Sequence, residues 1–282
     1  MSLWILQVSD LHFGHSAGHL RADAALDAVV RAAAGVIADR PAPLLVALCG
    51  DIVNQGDSSY YDTAAHFLER HLLQPLGMPD VACCPGNHDV VSGENGDFST
   101  FNRFAFRITN KSGLSFDRSR TVCAVTIHGY SVVLANSMYR GHEDRKRGEI
   151  DVKHLNHAMV SLDQSVPRLV ITHHSLISDN PLDPSSIANA YPVLRALTGA
   201  STIAALHGHM HAQTVLTVGK CGMAIVGVGS LLYKPYPNYN NGFNMLRLEG
   251  TSLAETYAFR YIADSVIGPT VGTFERTTLP IL

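Results

Sequence analysis

Five short polar clusters hold the side chains of this sequence best suited to metal chemistry: Asp10-Leu11-His12, Gly50-Asp51, Gly86-Asn87-His88-Asp89, His173-His174 and Gly208-His209-Met210-His211. Aspartate and asparagine offer hard oxygen atoms, and histidine offers a nitrogen of intermediate softness. The mixture suits manganese, iron, zinc or nickel and suits calcium or a thiolate site poorly. Asp10, His12, Asp51, Asn87, His173, His209 and His211 are too many for one ion and match two ions sharing a carboxylate. Two such ions would neutralise an anionic centre and bring the pKa of bound water down toward ~7, supplying a nucleophile at neutral pH. In Asp-x-His and His-x-His, alternate residues of an extended segment face one side, so both members of each pair are expected to reach one crevice. Glycines at 50, 86 and 208 permit tight turns where backbone passes close to a metal.

Each cluster follows an apolar run that reads as a strand. Residues 4–8 precede Asp10, 44–49 precede Asp51, 81–84 precede Asn87, 168–172 precede His173, and 201–206 precede His209. Continuous apolar runs are expected of strands buried on both faces, and the carboxyl edge of such strands is where α/β proteins bind ligands. Helical spacing covers 20–40 (Leu26, Val29, Val30, Ala33, Ile37, with Pro41 just beyond) and 57–73, with Asp57 or Ser58 as cap. The order is then β-α-β-α-β, the mark of layered α/β packing. Farther on, 121–127 and 131–134 read as a hairpin across His128-Gly129-Tyr130, 151–162 as a helix, and 185–197 as a helix capped by Ser185 or Ser186. Strand-like runs follow near Val215, Ile225, Leu246 and Tyr257. No repeat, low-complexity stretch or linker interrupts the chain. The expectation is one domain over residues 1–282, of the α/β class, with two stacked mixed β-sheets flanked by helices.

Taken together and in this order, the five clusters resemble the complete signature of the calcineurin-like metallophosphoesterase family, over residues 10–211. Each dipeptide alone means little; the joint pattern is specific. The run Gln7-Val8-Ser9-Asp10-Leu11-His12-Phe13-Gly14 is especially similar to the branch that contains cyclic-nucleotide phosphodiesterases. Asn54 stands where many relatives carry Asp, which bears on the branch alone. The resemblance implies a role for each residue. One metal takes Asp10, His12 and His211, the other takes Asn87, His173 and His209, and Asp51 bridges them; the ions are manganese, iron or zinc. His88 steadies the phosphoryl oxygens or protonates the leaving alkoxide, and Asp89 orients its imidazole. The implied reaction is hydrolysis of a phosphodiester, with cyclic nucleotides leading, by a metal-bridging hydroxide. A phosphomonoesterase, a nucleotide pyrophosphatase and a nuclease stay open on the same site. So does a catalytically idle scaffold, although such a protein should have lost ligands and here all seven positions and His88 are filled.

Composition narrows the partners. The 282 residues are 46% hydrophobic and 16% charged, which excludes a disordered or fibrous chain. The net charge of -3 lacks the basic excess of proteins that track nucleic-acid backbones, leaving a small phosphate ester as the expected partner and no extended nucleic acid. No apolar run reaches the ~18 residues that span a bilayer, and the start lacks the basic region of a signal peptide, so a cytoplasmic location is expected. Cys49, Cys83, Cys84, Cys123 and Cys221 match no zinc framework and are expected to be buried thiols in a reducing compartment. His174 and His207 neighbour candidate ligands on strands whose consecutive residues face opposite ways, so they belong behind the ligands or in the core. His15, His19, His66, His71, His128, His142, His154 and His157 read as surface or packing residues. The mixed charges at 140–147 read as a solvated loop. Tyr233, Tyr236 and Tyr239 lie in a Pro/Asn-rich loop that either covers a substrate or packs as ordinary loop. The ester arms of a diester would extend toward 179–184 and 231–239.

Overall fold

The computed structural model describes residues 1–15, 20–91, 97–140, 147–178, 185–220, 222–233, 240–264 and 268–279. His19, Cys221, Tyr236, Tyr239, 179–184 and most of 140–147, including His142, lie outside the described residues.

The apolar runs form two six-stranded sheets. The first contains β1 (Ser2–Val8), β2 (Leu44–Leu48), β3 (Asp80–Cys83), β10 (Gly242–Glu249), β11 (Ser252–Asp264) and β12 (Gly268–Thr278), in the order β12-β11-β10-β1-β2-β3. The second contains β4 (Val122–Ile127), β5 (Tyr130–Ala135), β6 (Arg168–Ile171), β7 (Thr202–His207), β8 (Thr214–Val218) and β9 (Met223–Gly227), in the order β4-β5-β6-β7-β9-β8. Both sheets are mixed. β1–β2–β3 and β5–β6–β7–β9 run parallel, and the outer pairs are antiparallel. The α/β class with two mixed sheets therefore stands as expected. Around them lie α1 (Ala22–Asp39), α2 (Ser58–Leu68), α3 (Ser99–Thr109), α4 (Val152–Ser161) and α5 (Ala190–Gly199).

Alternation along the strands explains the layers. Val132 and Leu134 of β5 join the larger core, which includes Ile5, Leu6, Val46 and Leu246 of the first sheet. Val133 and Ala135 face the other way, into a smaller core with Leu155 and Met159 of α4 and Val193 and Leu197 of α5. The second sheet is thus apolar on both faces, as parallel strands covered by helices must be. Each fully buried Leu or Ile contributes ~1.5–3 kcal/mol, so many such positions together determine the stacking.

Three local expectations need correction. The helix expected over 57–73 is α only to Leu68 and continues as one π-helical turn, Glu69–Leu73; Asp57 does cap it, Oδ1 accepting from Ser59 N at 2.7 Å. The helix expected over 185–197 begins at Ala190, and neither Ser185 nor Ser186 is its cap. That stretch instead pairs with the segment beyond β6: Ser186 bridges Ser175, and Ile187 N donates to Ser175 O at 2.9 Å. α3 was not expected at all, although Phe101, Phe104, Ala105 and Ile108 bury one helical face at the i, i+3, i+4, i+7 spacing. No helix among the described residues is long and apolar enough to cross a membrane.

Candidate metal centre

The parallel strands end level with one another. Val8 pairs with Leu48, Leu48 with Cys83, and Ile171 with Leu206. The chain beyond them stays tied across strands: Asp10 N donates to Gly50 O at 3.1 Å, His12 N to Asp51 O at 3.0 Å, and Gly208 N to His173 O at 3.0 Å. Five segments thus meet at one edge, three from the first sheet and two from the second. The segments are not extended there. Asp10, His12, Asp51, His209 and His211 have φ of 55, 47, 52, 63 and 53°, which makes them five of the nine non-glycine residues with positive φ among those described. The expectation that Asp-x-His and His-x-His deliver alternate residues as a strand would is therefore corrected: left-handed turns deliver them. Each such residue costs ~1 kcal/mol or more and persists only where surrounding structure holds it, a strain that concentrates at functional sites.

Three groups of ligand atoms result, each within 4.8 Å: Asp10, His12 and His211; Asp51, His173 and His209; and His12, Asp51 and His88. His211 Nε2 lies 3.0 Å from Asp10 Oδ1. Asp10 Oδ2 accepts from His209 N at 3.1 Å. His173 Nε2 stands 2.9 Å from Asn87 Oδ1, 3.1 Å from His209 Nδ1 and 3.4 Å from Asp51 Oδ2. His12 Nε2 is 3.7 Å from both Asp10 Oδ1 and Asp51 Oδ2. All seven sequence-nominated residues converge, and Asp51 Oδ2 lies between the two histidine groups.

The donor set fits metal ions. Both ring nitrogens of His12 are buried without a hydrogen bond. At 3.7 Å, Nε2 is too far from the two carboxylates for hydrogen bonds, yet near enough to share one cation with bonds of ~2.0–2.2 Å. His173 Nδ1 faces the Cys49 carbonyl at 2.8 Å and carries a proton there, so in the neutral, metal-binding form the lone pair of Nε2 is directed toward Asp51, Asn87 and His209. A backbone carbonyl holding the far nitrogen is the usual support of a metal-binding histidine.

Electrostatics follow from this crowding. Burial alone would raise the Asp10 carboxyl, but His211 and His12 hold it well below the usual range. Asp51 is likewise held low against burial, chiefly by His173 and His88. His173 is opposed by burial yet raised to about 9, chiefly by Asp51. His209 is lowered to about 4 by burial and by His173.

His88 and Asp89 divide differently from expectation. The imidazole of His88 is held by the Asn54 carbonyl, 2.8 Å from Nδ1, and His88 N donates to Asp51 Oδ1 at 2.8 Å. Asp89 is fully buried and serves the backbone: it accepts from Ile52 N, Val53 N and Gly86 N, and from Tyr61 Oη at 2.9 Å. Burial and Asp51 push its carboxyl up to about 6. Asp89 thus braces the Gly86 turn and the Ile52–Val53 backbone, and the expectation that it orients His88 is corrected. Asn54 was singled out only for its side chain; its working group is a main-chain carbonyl, which no residue pattern displays.

Two glycines are required by contact. A Cβ on Gly86 would overlap Asp51, and one on Gly208 would overlap Ser9 Oγ and lie 2.7 Å from Asp10 Oδ2. His174 is buried behind the ligands, Nδ1 2.7 Å from Ser137 Oγ, and His207 is buried and lowered to about 4. Tyr233 stands edge-on to His12, centroids 5.0 Å apart, and against His15 at 4.5 Å. His15, expected as a surface or packing residue, packs on Tyr233 next to the centre. His71, His128 and His154 pair with Asp27, Asp80 and Asp151. An open cleft of about 560 Å³, lined by residues such as Ser165, Arg168, Thr202 and Ser252, lies at the opposite edge, so concavity alone does not mark this centre.

Solved structures share this fold. A dimetal phosphatase from Danio rerio is 15% identical, with 98% of each chain covered and a TM-score of 0.63. Purple acid phosphatase PPD1 from yellow lupin (Lupinus luteus) seeds is 11% identical, with 93% of this chain and 51% of that one covered and a TM-score of 0.58. At these identities the likeness establishes the fold. No curated protein gives a significant match. A family model described as calcineurin-like phosphoesterase matches residues 3–213, from the first strand through the last candidate ligand. That match embraces all five clusters on the strands that position them, and the chain belongs to the calcineurin-like phosphoesterase family.

Proposed function

We propose that this chain is a dinuclear-metal phosphodiesterase acting on small diesters, cyclic nucleotides foremost. The observation that carries the reading is Asp51 Oδ2, 3.7 Å from His12 Nε2 and 3.4 Å from His173 Nε2, a single carboxylate oxygen between two ligand groups. Asp10, His12 and His211 would hold one ion and Asn87, His173 and His209 the other, with Asp51 placed to serve both. When bound, such ions neutralise phosphoryl charge and lower the pKa of water toward ~7. The rest is done by the chain. His88, its Nδ1–H engaged by Asn54, presents Nε2 to the substrate and, as the imidazolium, gives its proton to the leaving oxygen. Tyr233 beside His12 supplies an aromatic face for an ester arm.

Diester preference is supported by charge. None of the five clusters contains Arg or Lys, so none supplies the fixed bidentate cation that a dianionic monoester favours. With Mn²⁺, kcat/KM for bis-aryl phosphate and for 2′,3′- or 3′,5′-cyclic nucleotides is expected to exceed that for the matching monoesters. A clear preference for monoesters, with cyclic nucleotides untouched, would move the assignment to a phosphomonoesterase. Two smaller proposals accompany this one. Residues 1–282 act as one domain, supported by a core drawn from both sheets. The location is cytoplasmic, supported by Cys49, Cys83, Cys84 and Cys123 being buried free thiols.

Metal uptake should release protons. His173, raised to about 9, binds a proton in the metal-free fold at neutral pH. Its folded pKa lies above the unfolded 6.5, so its contribution to metal-free stability is full below 6.5 and is lost as pH rises through about 9. A histidine must be neutral to bind a metal, so that proton leaves on binding and affinity strengthens as pH rises toward 9. Calorimetry of Mn²⁺ binding at pH 7.5, in buffers of different ionisation enthalpy, should report net proton release. A heat independent of buffer contradicts this.

A further inference from the structure

Just below the candidate centre, buried side-chain amides join the two sheets. Gln7 is fully buried in β1, where Leu3, Trp4, Ile5, Leu6 and Val8 are buried apolar residues. Its Nε2 donates to Val226 O at 3.0 Å and to His207 O at 3.2 Å, on β9 and β7 of the other sheet. Its Oε1 accepts from Asn244 Nδ2 of β10 at 3.0 Å, and that nitrogen also donates to Gly227 O at 3.0 Å. Gln213 extends the chain, Nε2 donating to Asn244 Oδ1 at 3.1 Å and to Phe243 O at 3.0 Å.

The placement is consequential. Gln7 lies three residues before Asp10, and the His207 carbonyl lies two residues before His209. The first sheet carries Asp10, His12, Asp51 and Asn87; the second carries His173, His209 and His211. Contacts such as Asp10–His211 and Asp51–His173 therefore cross the gap between sheets. Apolar packing across that gap is non-directional and tolerates sliding. Hydrogen bonds weaken steeply with distance and angle, so they set both separation and register. As a source of stability the Gln7–Asn244 bond itself is dispensable, because replacing both of its partners by apolar groups of similar shape is close to neutral; of the carbonyls that lose a side-chain donor, His207 O keeps the Val228 amide.

We propose that the Gln7–Asn244 amide pair fixes the spacing of the two half-sites, making Gln7 and Asn244 positioning residues for the metal centre. This rests on the dinuclear reading above. The test is the double variant Gln7→Met/Asn244→Leu in the full chain, with Leu248→Val, a fully buried residue of β10 far from the centre, as control. Manganese dissociation constants, metal-free melting temperature and amide exchange are measured. The double variant is expected to melt within ~4 °C of wild type, the shift of about one weak interaction. Manganese affinity should fall ~10–100-fold, the scale for residues that support ligands from behind. In the metal-free protein, the amides of Gly208 and Val228, bonded to His173 O and His207 O, should exchange faster. Should the double variant not fold, Gln7→Met alone, which leaves Asn244 bonded to Gly227 and Gln213, carries the same expectation. Unchanged affinity and exchange, or an equal loss in Leu248→Val, overturns the proposal and leaves the metal site intact. Wild type binding fewer than two Mn²⁺ per chain overturns the dinuclear reading itself, and this proposal with it.

Discussion

Asp51→Asn is expected to purify with fewer than two ions per chain and to lose at least ~10²-fold in turnover, the scale of removing one preorganised electrostatic element. The substitution is nearly isosteric, and an amide Oδ1 still accepts from His88 N, as the carboxylate does at 2.8 Å. What changes is the other atom. Oδ2 faces His12 Nε2 and His173 Nε2 at 3.7 and 3.4 Å, and an NH₂ in its place neither carries charge nor binds a cation. Because one oxygen serves both groups, occupancy should fall at both sites together. Removing Asp51's charge should also let the His173 pKa fall from about 9, reducing proton release on whatever metal still binds. Metal analysis after full loading decides it: two ions per chain in Asp51→Asn would show that Asp51 does not bridge.

The second large effect separates chemistry from metal binding. His88→Ala should keep the fold and both ions yet lose ~10²–10⁴-fold in kcat, the usual contribution of a general acid. A rival role is built into the geometry, since His88 shares a group of possible ligand atoms with His12 and Asp51. Metal content distinguishes the two: a ligand takes its ion with it, an acid does not. The leaving group gives a finer test. Proton donation matters most for poor leaving groups, so the loss should be large for alkyl esters and small for a p-nitrophenyl ester. An equal loss across leaving groups would contradict the acid role, and near-normal activity throughout would leave His88 without one.

How much of this was legible beforehand depended on the range of the interaction. The fold class was legible because apolar runs at 4–8, 44–49, 168–172 and 201–206, the second of them continuous, suit strands of a buried sheet, and each was followed by candidate metal ligands. The convergence of the candidate ligands was legible for the same reason: a strand's end is a local property, and types such as Asp10, His12 and Asp51 announce themselves. α3 was legible in principle through its Phe101–Phe104–Ile108 stripe, but Asn102, Arg103 and Arg107 between them masked it. The start of α5 was not, because 185–188 pairs with the distant Ser175 rather than joining the helix.

Only tertiary structure decided the finer chemistry. The partner of His88 is a main-chain carbonyl at Asn54, 34 residues away, while Asp89 turns from its neighbour to brace Ile52 and Gly86. The left-handed backbone of five candidate ligands is a conformation that Asp and His tolerate better than most residues, and hydrogen bonds hold it at Asp10 and His12, to Gly50 O and Asp51 O, and at His209, to Asp10 Oδ2. Gln7 is visible as one polar residue in an apolar strand, yet its contacts reach residues about 200–237 positions away. Residue pattern determines which groups arrive at the edge, because strand burial and alternation repeat over a few residues. Which nitrogen faces which oxygen depends on the stacking of two sheets, and no local period encodes that separation.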